Sequence, residues 1–198
     1  MKKTILTLSI AFISLTYSCK EQKKKKPEGA PKMETSVEND TEMDNEMAEK
    51  TTTIALEPKS DSNVKGEITF TQKDNEVKML AHLSGLKEGK HAIHIHETAD
   101  CSSEDGKSAG GHWNPTDEPH GKWGAEEGYH KGDIGNFTAD ADGNAEIEFS
   151  TDEWCLDCDD DTMNIVDKGV IVHEGVDDFT SQPSGDAGTR VSCAGIIQ

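Results

Sequence analysis

Arginine is almost absent from this 198-residue chain: Arg190 is the only one. Residues 51–198 hold eleven Lys+Arg against thirty Asp+Glu, which places the whole formal charge of −19 on them. So acidic a body excludes nucleic acid as a partner, because affinity for phosphate backbones comes from Lys and Arg. Long apolar runs are missing too. The longest, Ile5 to Leu15, falls short of the roughly 20 residues that a membrane-crossing helix needs. No segment carries a sustained 3.6-residue stripe, which excludes a helix bundle. No second C-x-x-C accompanies Cys155 and Cys158, so a four-cysteine zinc site is excluded as well.

What is present begins with an export signal. Lys2 and Lys3 precede the apolar run, and small Ser18 precedes Cys19, so residues 1–18 are read as a signal peptide. Cys19 resembles a bacterial lipoprotein processing site, although the nearest leucine, Leu15, lies four residues ahead of it rather than three. The alternative is a plain secretory signal cleaved nearby. Acyl chains on Cys19 would hold the protein at a membrane, with Lys23–Lys26 against the head groups. Residues 19–50 contain no aromatics and are rich in Lys, Glu, Met and Thr, the composition of a disordered tether.

From residue 51 onward the periodicity is two. Apolar residues fall at or near alternate positions in 53–56, 66–70, 76–80 and 145–149. Eight strands are predicted, near 52–57, 64–71, 75–84, 90–97, 133–139, 145–150, 169–173 and 190–196. Asp142-Gly143, between two such runs, predicts a hairpin. Two-faced strands of this kind form a sandwich or flattened barrel. Two long connections, 97–132 and 174–189, start beside histidine-bearing strands, and long loops without structure of their own are usually functional.

Histidine is plentiful, at 82, 91, 94, 96, 112, 120, 130 and 173. His94 and His96 lie two apart on a strand, so they share a face and can chelate one ion. With His173 they suit Cu(II), which favours imidazole nitrogen. His112, His120, His130 and Asp133 make a set of three imidazoles and one carboxylate, suited to tetrahedral Zn(II). His91 is three residues from His94 and faces the other side, while His82 points outward between apolar neighbours.

These residues resemble the copper/zinc superoxide dismutases. The resemblance covers residues 51–198 and rests on HIHE at 94–97, SAGGHWNP at 108–115, HKGDIGN at 130–136, VHEGVDDF at 172–179 and GTRVSCAGII at 188–197. It implies an all-β fold, an eight-stranded antiparallel Greek-key barrel with two long functional loops. It implies one copper per subunit, Cu(II)/Cu(I), on His94, His96, His112 and His173. It implies one Zn(II) on His112, His120, His130 and Asp133, with His112 shared between the metals. Asp177 is then the carboxylate that orients one copper and one zinc histidine, Cys101 and Cys193 the intrasubunit disulfide, and His91 a brace for the strand. A disulfide closing so long a loop stabilises by roughly 4–5 kcal/mol at most in the chain-entropy model.

The implied reaction is dismutation of superoxide to dioxygen and hydrogen peroxide, protecting the cell envelope. His112 acts as the proton carrier and Arg190 as the anion-guiding residue. A homodimer is compatible with the resemblance, and the location is a bacterial envelope, periplasmic or outer-membrane, with the protein lipid-anchored. The alternative is a non-enzymatic copper-binding or copper-delivery protein on the same fold; such relatives usually lack a ligand or the arginine. Two features depart from the family. Residues 174–189 contain no lysine, leaving Lys122, Lys131 and Lys168 as replacements to guide the substrate. Cys155 and Cys158 have no counterpart. They are read as a local disulfide, with a metal-relay role as the other reading, since the following Asp159–Asp161 run disfavours a reactive thiolate.

Overall fold

Alternation of apolar and polar residues builds most strands of the computed structural model, which describes residues 49–197. The signal segment 1–18, Cys19 and the tether as far as residue 48 lie outside the described residues. The strands are β1 (Lys50–Pro58), β2 (Lys65–Lys73), β3 (Glu76–Ser84), β4 (Gly89–His96), β5 (Gly135–Ala139), β6 (Ala145–Thr151), β7 (Gly169–His173) and β8 (Arg190–Gly195). A single 3-10 turn, Lys107–Ala109, is the one helical piece among the described residues. In β3 the pattern is strict: Val77, Met79, Ala81 and Leu83 are buried, and the residues between them face solvent.

The strands run in the order β5-β4-β7-β8-β1-β2-β3-β6, all neighbours antiparallel, and curl into a nearly closed barrel. Phe70, Ile68, Ile93, Ile95, Val170, Val172 and Ile196 fill its interior. The predicted hairpin at Asp142-Gly143 is not one. The turn forms, with Gly143 N–H donating to Asp140 O at 3.0 Å, but β5 pairs with β4 and β6 with β3. The turn joins the two edges of the barrel instead. Its shape answers to a contact across the barrel end: Leu86 N–H donates to Gly143 O at 3.1 Å. Gly143 has φ +77°, and a Cβ there would meet Leu86 O at 2.5 Å, so only glycine fits.

β4 and β7 are buried on both faces, and this positions the site. Ile93, Ile95, Val170 and Val172 point into the barrel, whereas His94, His96, Ile171 and His173 point outward beneath the long connections. A β-bulge completes the arrangement. Val172 pairs with Ser192 but His173 pairs with Arg190, so β8 has an extra residue, Val191, turned into the core. The bulge sets Arg190 directly opposite His173.

Candidate metal centre

Three parts of the chain bring the proposed ligands together outside the barrel wall. β4 supplies His94 and His96, the 97–134 connection supplies His112, His120, His130 and Asp133, and β7 supplies His173. The ligand atoms of His94, His96, His112 and His173 all lie within 4.8 Å of one another, as do those of His112, His120, His130 and Asp133. All seven are buried, and His112 belongs to both groups.

Hydrogen bonds orient most of these rings from behind. His94 Nε2–H donates to Asp177 Oδ2 at 2.8 Å and His120 Nε2–H to Asp177 Oδ1 at 2.9 Å. Asp177, 1 % exposed, thus ties one histidine of each group together, and Phe179 N–H donates to the same carboxylate at 2.7 Å. Gly185 closes over this junction at φ +67°, where a Cβ would fall 2.6 Å from His120 Nε2. His96 Nδ1–H donates to Gly110 O at 3.1 Å, and His173 Nδ1–H to Gly188 O at 3.4 Å. His112 Nδ1 lies 2.8 Å from Asp133 Oδ1.

The opposite nitrogens have no partner. His94 Nδ1, His96 Nε2, His112 Nε2, His173 Nε2, His120 Nδ1 and His130 Nδ1 are buried without a hydrogen bond. Asp133 oxygens approach His120 Nδ1 and His130 Nδ1 to 3.0 and 3.3 Å, but off the direction of a hydrogen bond. Each unsatisfied buried polar group costs roughly 1–3 kcal/mol, so six would cost on the order of 6–18 kcal/mol. That rivals the whole stability of a domain, about 5–15 kcal/mol. A cation in each group removes the cost, so the residues fit two metal ions.

Protonation favours the same conclusion. Burial, then the neighbouring histidines and Arg190, hold His96 and His173 well below the ordinary histidine range, so their lone pairs are free at neutral pH. Burial also lowers His112 to about 4, against the opposing pull of Asp133. For His120 burial works downward, but Asp133 and Asp177 on either side outweigh it and raise it to about 9. Binding of a metal there must displace a proton. Asp133 and Asp177 lie far below the usual carboxylate range: burial opposes this, and their histidine hydrogen bonds overcome it.

The first group opens into a cleft of about 790 Å³ lined by His96, His112, His173, Lys107, Glu97 and Arg190, among others. Arg190 donates from Nη1 to Gly106 O at 2.9 Å and from Nη2 to Gly110 O at 2.8 Å. Lys122, Lys131 and Lys168 do not line this cleft: Lys131 pairs with Glu153, and Lys168 Nζ lies 6.0 Å over the Trp113 ring. The lysine at the mouth is Lys107, which the sequence alone did not single out. Its only signal was its place just ahead of SAGGHWNP.

The remaining candidates lie around the centre. Cys101 and Cys193 are disulfide-bonded with Cα atoms 5.8 Å apart, fastening the connection that carries His112 to β8. Cys155 and Cys158 are bonded to each other, Cα–Cα 6.1 Å, in the β6–β7 connection. His91 braces the strand, with Nε2 2.8 Å from Lys87 O and Nδ1 3.1 Å from His173 O. His82 is exposed, 3.4 Å from Glu146.

A two-metal histidine centre on the outside of a Greek-key barrel defines a class of protein, and comparison with known proteins agrees. The family model described as "Copper/zinc superoxide dismutase (SODC)" matches residues 64–196. An extracellular superoxide dismutase (Cu-Zn) of Drosophila melanogaster is 38 % identical over 145 residues, covering 69 % of this chain and 76 % of that protein. The one from Brugia pahangi is 34 % identical over 155 residues, covering 74 % and 75 %. Among solved structures, a double mutant of a SOD-like protein from Bacillus subtilis matches with a TM-score of 0.66 at 30 % identity, covering 74 % of this chain and 97 % of that one. The chain belongs to the copper/zinc superoxide dismutase family.

Proposed function

We propose that the protein dismutes superoxide, two superoxide ions and two protons giving dioxygen and hydrogen peroxide. Copper would be held by His94 Nδ1 and by Nε2 of His96, His112 and His173, and zinc by His112, His120, His130 and Asp133. When bound, copper supplies the one-electron redox change while zinc supplies fixed positive charge and no redox chemistry. The observation that carries this reading is the set of six partnerless buried nitrogens, sorted into two groups that share one imidazole.

The chain's own residues do the rest. Arg190, held by two carbonyls beside His96 and His173, binds the small anion in the cleft and sets its approach. Lys107 adds positive charge at the mouth. His112 Nε2, whenever it is not engaged as a ligand, can hold a proton and deliver it to the peroxide product, as a general acid does. Asp177 keeps His94 and His120 in fixed tautomers, so one carboxylate orients both halves of the centre.

The reading extends to an exported protein: residues 1–18 as signal peptide, Cys19 as lipidated residue, 19–50 as tether and 51–198 as the functional domain, on a bacterial envelope. The charged start and short apolar run support the signal, and Ser18-Cys19 supports lipidation. The test is metal analysis of the purified protein joined to a superoxide-consumption assay. Near one copper and one zinc per chain with rapid turnover is expected. Both metals bound without turnover would favour the copper-delivery alternative.

A further inference from the structure

The connection between β6 and β7 reaches back to the turn that supplies His130 and Asp133. Trp154, 1 % exposed, donates Nε1–H to Lys131 O at 2.8 Å. Glu153 accepts a hydrogen bond from Tyr129 Oη at 2.6 Å and pairs with Lys131 Nζ. Tyr129 and Lys131 flank His130 in the chain, so one carboxylate grips both neighbours of a proposed ligand. Other bonds to this turn come from the barrel side, from within it, and from Gly121, whose N–H donates to Asp133 Oδ2 at 3.1 Å. Ile95 N–H donates to Gly132 O at 2.9 Å, Gly132 N–H to Trp113 O at 3.0 Å, and Asp133 N–H to His130 O at 3.0 Å. The β6–β7 connection thus holds the face of the turn that the barrel does not.

That connection is itself rigidly seated. Leu156 and Ile165 are fully buried in the core, and Trp154 meets Phe70 and Trp123 edge-on at 6.4 and 5.7 Å. Immediately after Trp154 comes the Cys155–Cys158 disulfide. Cys155 N–H donates to Met163 O at 2.8 Å, and Ile165 N–H donates to Cys155 O at 3.1 Å. Leu156 N–H donates to Gln72 Oε1 at 2.6 Å. A metal site with three imidazoles and one carboxylate tolerates only small displacements of its ligands, and residues behind the ligands fix their positions.

We propose that Glu153 and Trp154 are positioning residues for the zinc-side ligands, held in place by the Cys155–Cys158 crosslink. This rests on the reading of His112, His120, His130 and Asp133 as a metal site. The second disulfide thereby stiffens a brace that ends on the ligand turn.

The test titrates the metal-free, full-length protein with zinc against a chromophoric chelator, and with Co(II) to read the ligand-field bands of this site. Wild-type protein that binds neither ion would sink the metal reading itself, before any variant is compared. With wild-type binding in hand, Trp154→Phe and Glu153→Gln are each expected to lower zinc affinity about tenfold. Both should also shift the Co(II) bands, while copper affinity measured without zinc stays unchanged. Cys155→Ser with Cys158→Ser should move zinc affinity in the same direction by less. If Trp154→Phe fails to fold, the partly exposed Glu153→Gln, together with Tyr129→Phe, carries the comparison. Wild-type zinc affinity in the variants, or equal losses at both metal groups, would overturn the proposal.

Discussion

Gly110 O joins the metal side of the cleft to its anion side. It accepts from His96 Nδ1 at 3.1 Å and from Arg190 Nη2 at 2.8 Å, so a copper-side ring and the guanidinium are set against the same oxygen. Only a planar fork can hold Gly106 O and Gly110 O together, which makes Arg190 a rigid anion donor. Glu97 and Asp105 pull on its charge from nearby. Glu97 accepts from Gly111 N–H at 3.0 Å, and Asp105 pairs with Lys107 at 2.9 Å in an exposed contact. Arg190→Ala is therefore expected to slow superoxide consumption at low substrate about tenfold or more, with copper content unchanged. Arg190→Lys should fall between, since a point charge remains without the fork. Near-wild-type activity in Arg190→Ala would show that guidance lies elsewhere.

Among the elements, period-two alternation made β1, β2, β3 and β6 legible, because each has one face on the barrel core, whereas β4 and β7 are buried on both faces and carry no such pattern. Strand parity likewise separated His94 and His96 from His91. The Asp142-Gly143 turn was misread for a physical reason. Turn chemistry reports that the chain reverses, not which strands hydrogen-bond, and here the partners are set by closure of the barrel. The expected cost of disturbing that turn follows from its geometry. Gly143→Ala places a side chain at φ +77° and 2.5 Å from Leu86 O, so chemical denaturation should show a loss of at least ~1–2 kcal/mol. A neutral result would mean that Leu86 and its loop move aside freely. In the β6–β7 connection the Cys155–Cys158 pair was legible and little else. Trp154, Leu156 and Ile165 are core residues with no period, separated by a run of aspartates that reads as solvent-exposed. The bulge at Val191 was equally silent, since one extra residue leaves no pattern in a six-residue strand.

At the scale of the whole molecule, a formal charge of −19 confronts an anionic substrate. Arg190 and Lys107 give the cleft a local attraction inside a repulsive field. Removing both, as Arg190→Ala with Lys107→Gln, leaves the repulsion alone. Substrate capture by that variant should then speed up from about 0.01 M to 0.15 M salt, as the screening length falls from roughly 30 Å to 8 Å. A rate that falls with salt would reveal another attractive basic surface. The sheet has one thin seam, where β1 meets β8 through only Glu57↔Cys193 and Pro58↔Ser192. Those partners stand 136 and 134 positions apart along the chain, so closure of the barrel waits on contacts of high sequence separation. Arg190 and Cys193 both belong to that last strand. Until β8 docks, the barrel lacks both its anion donor and its long crosslink, so opening of this one seam would release substrate guidance and loop fastening together.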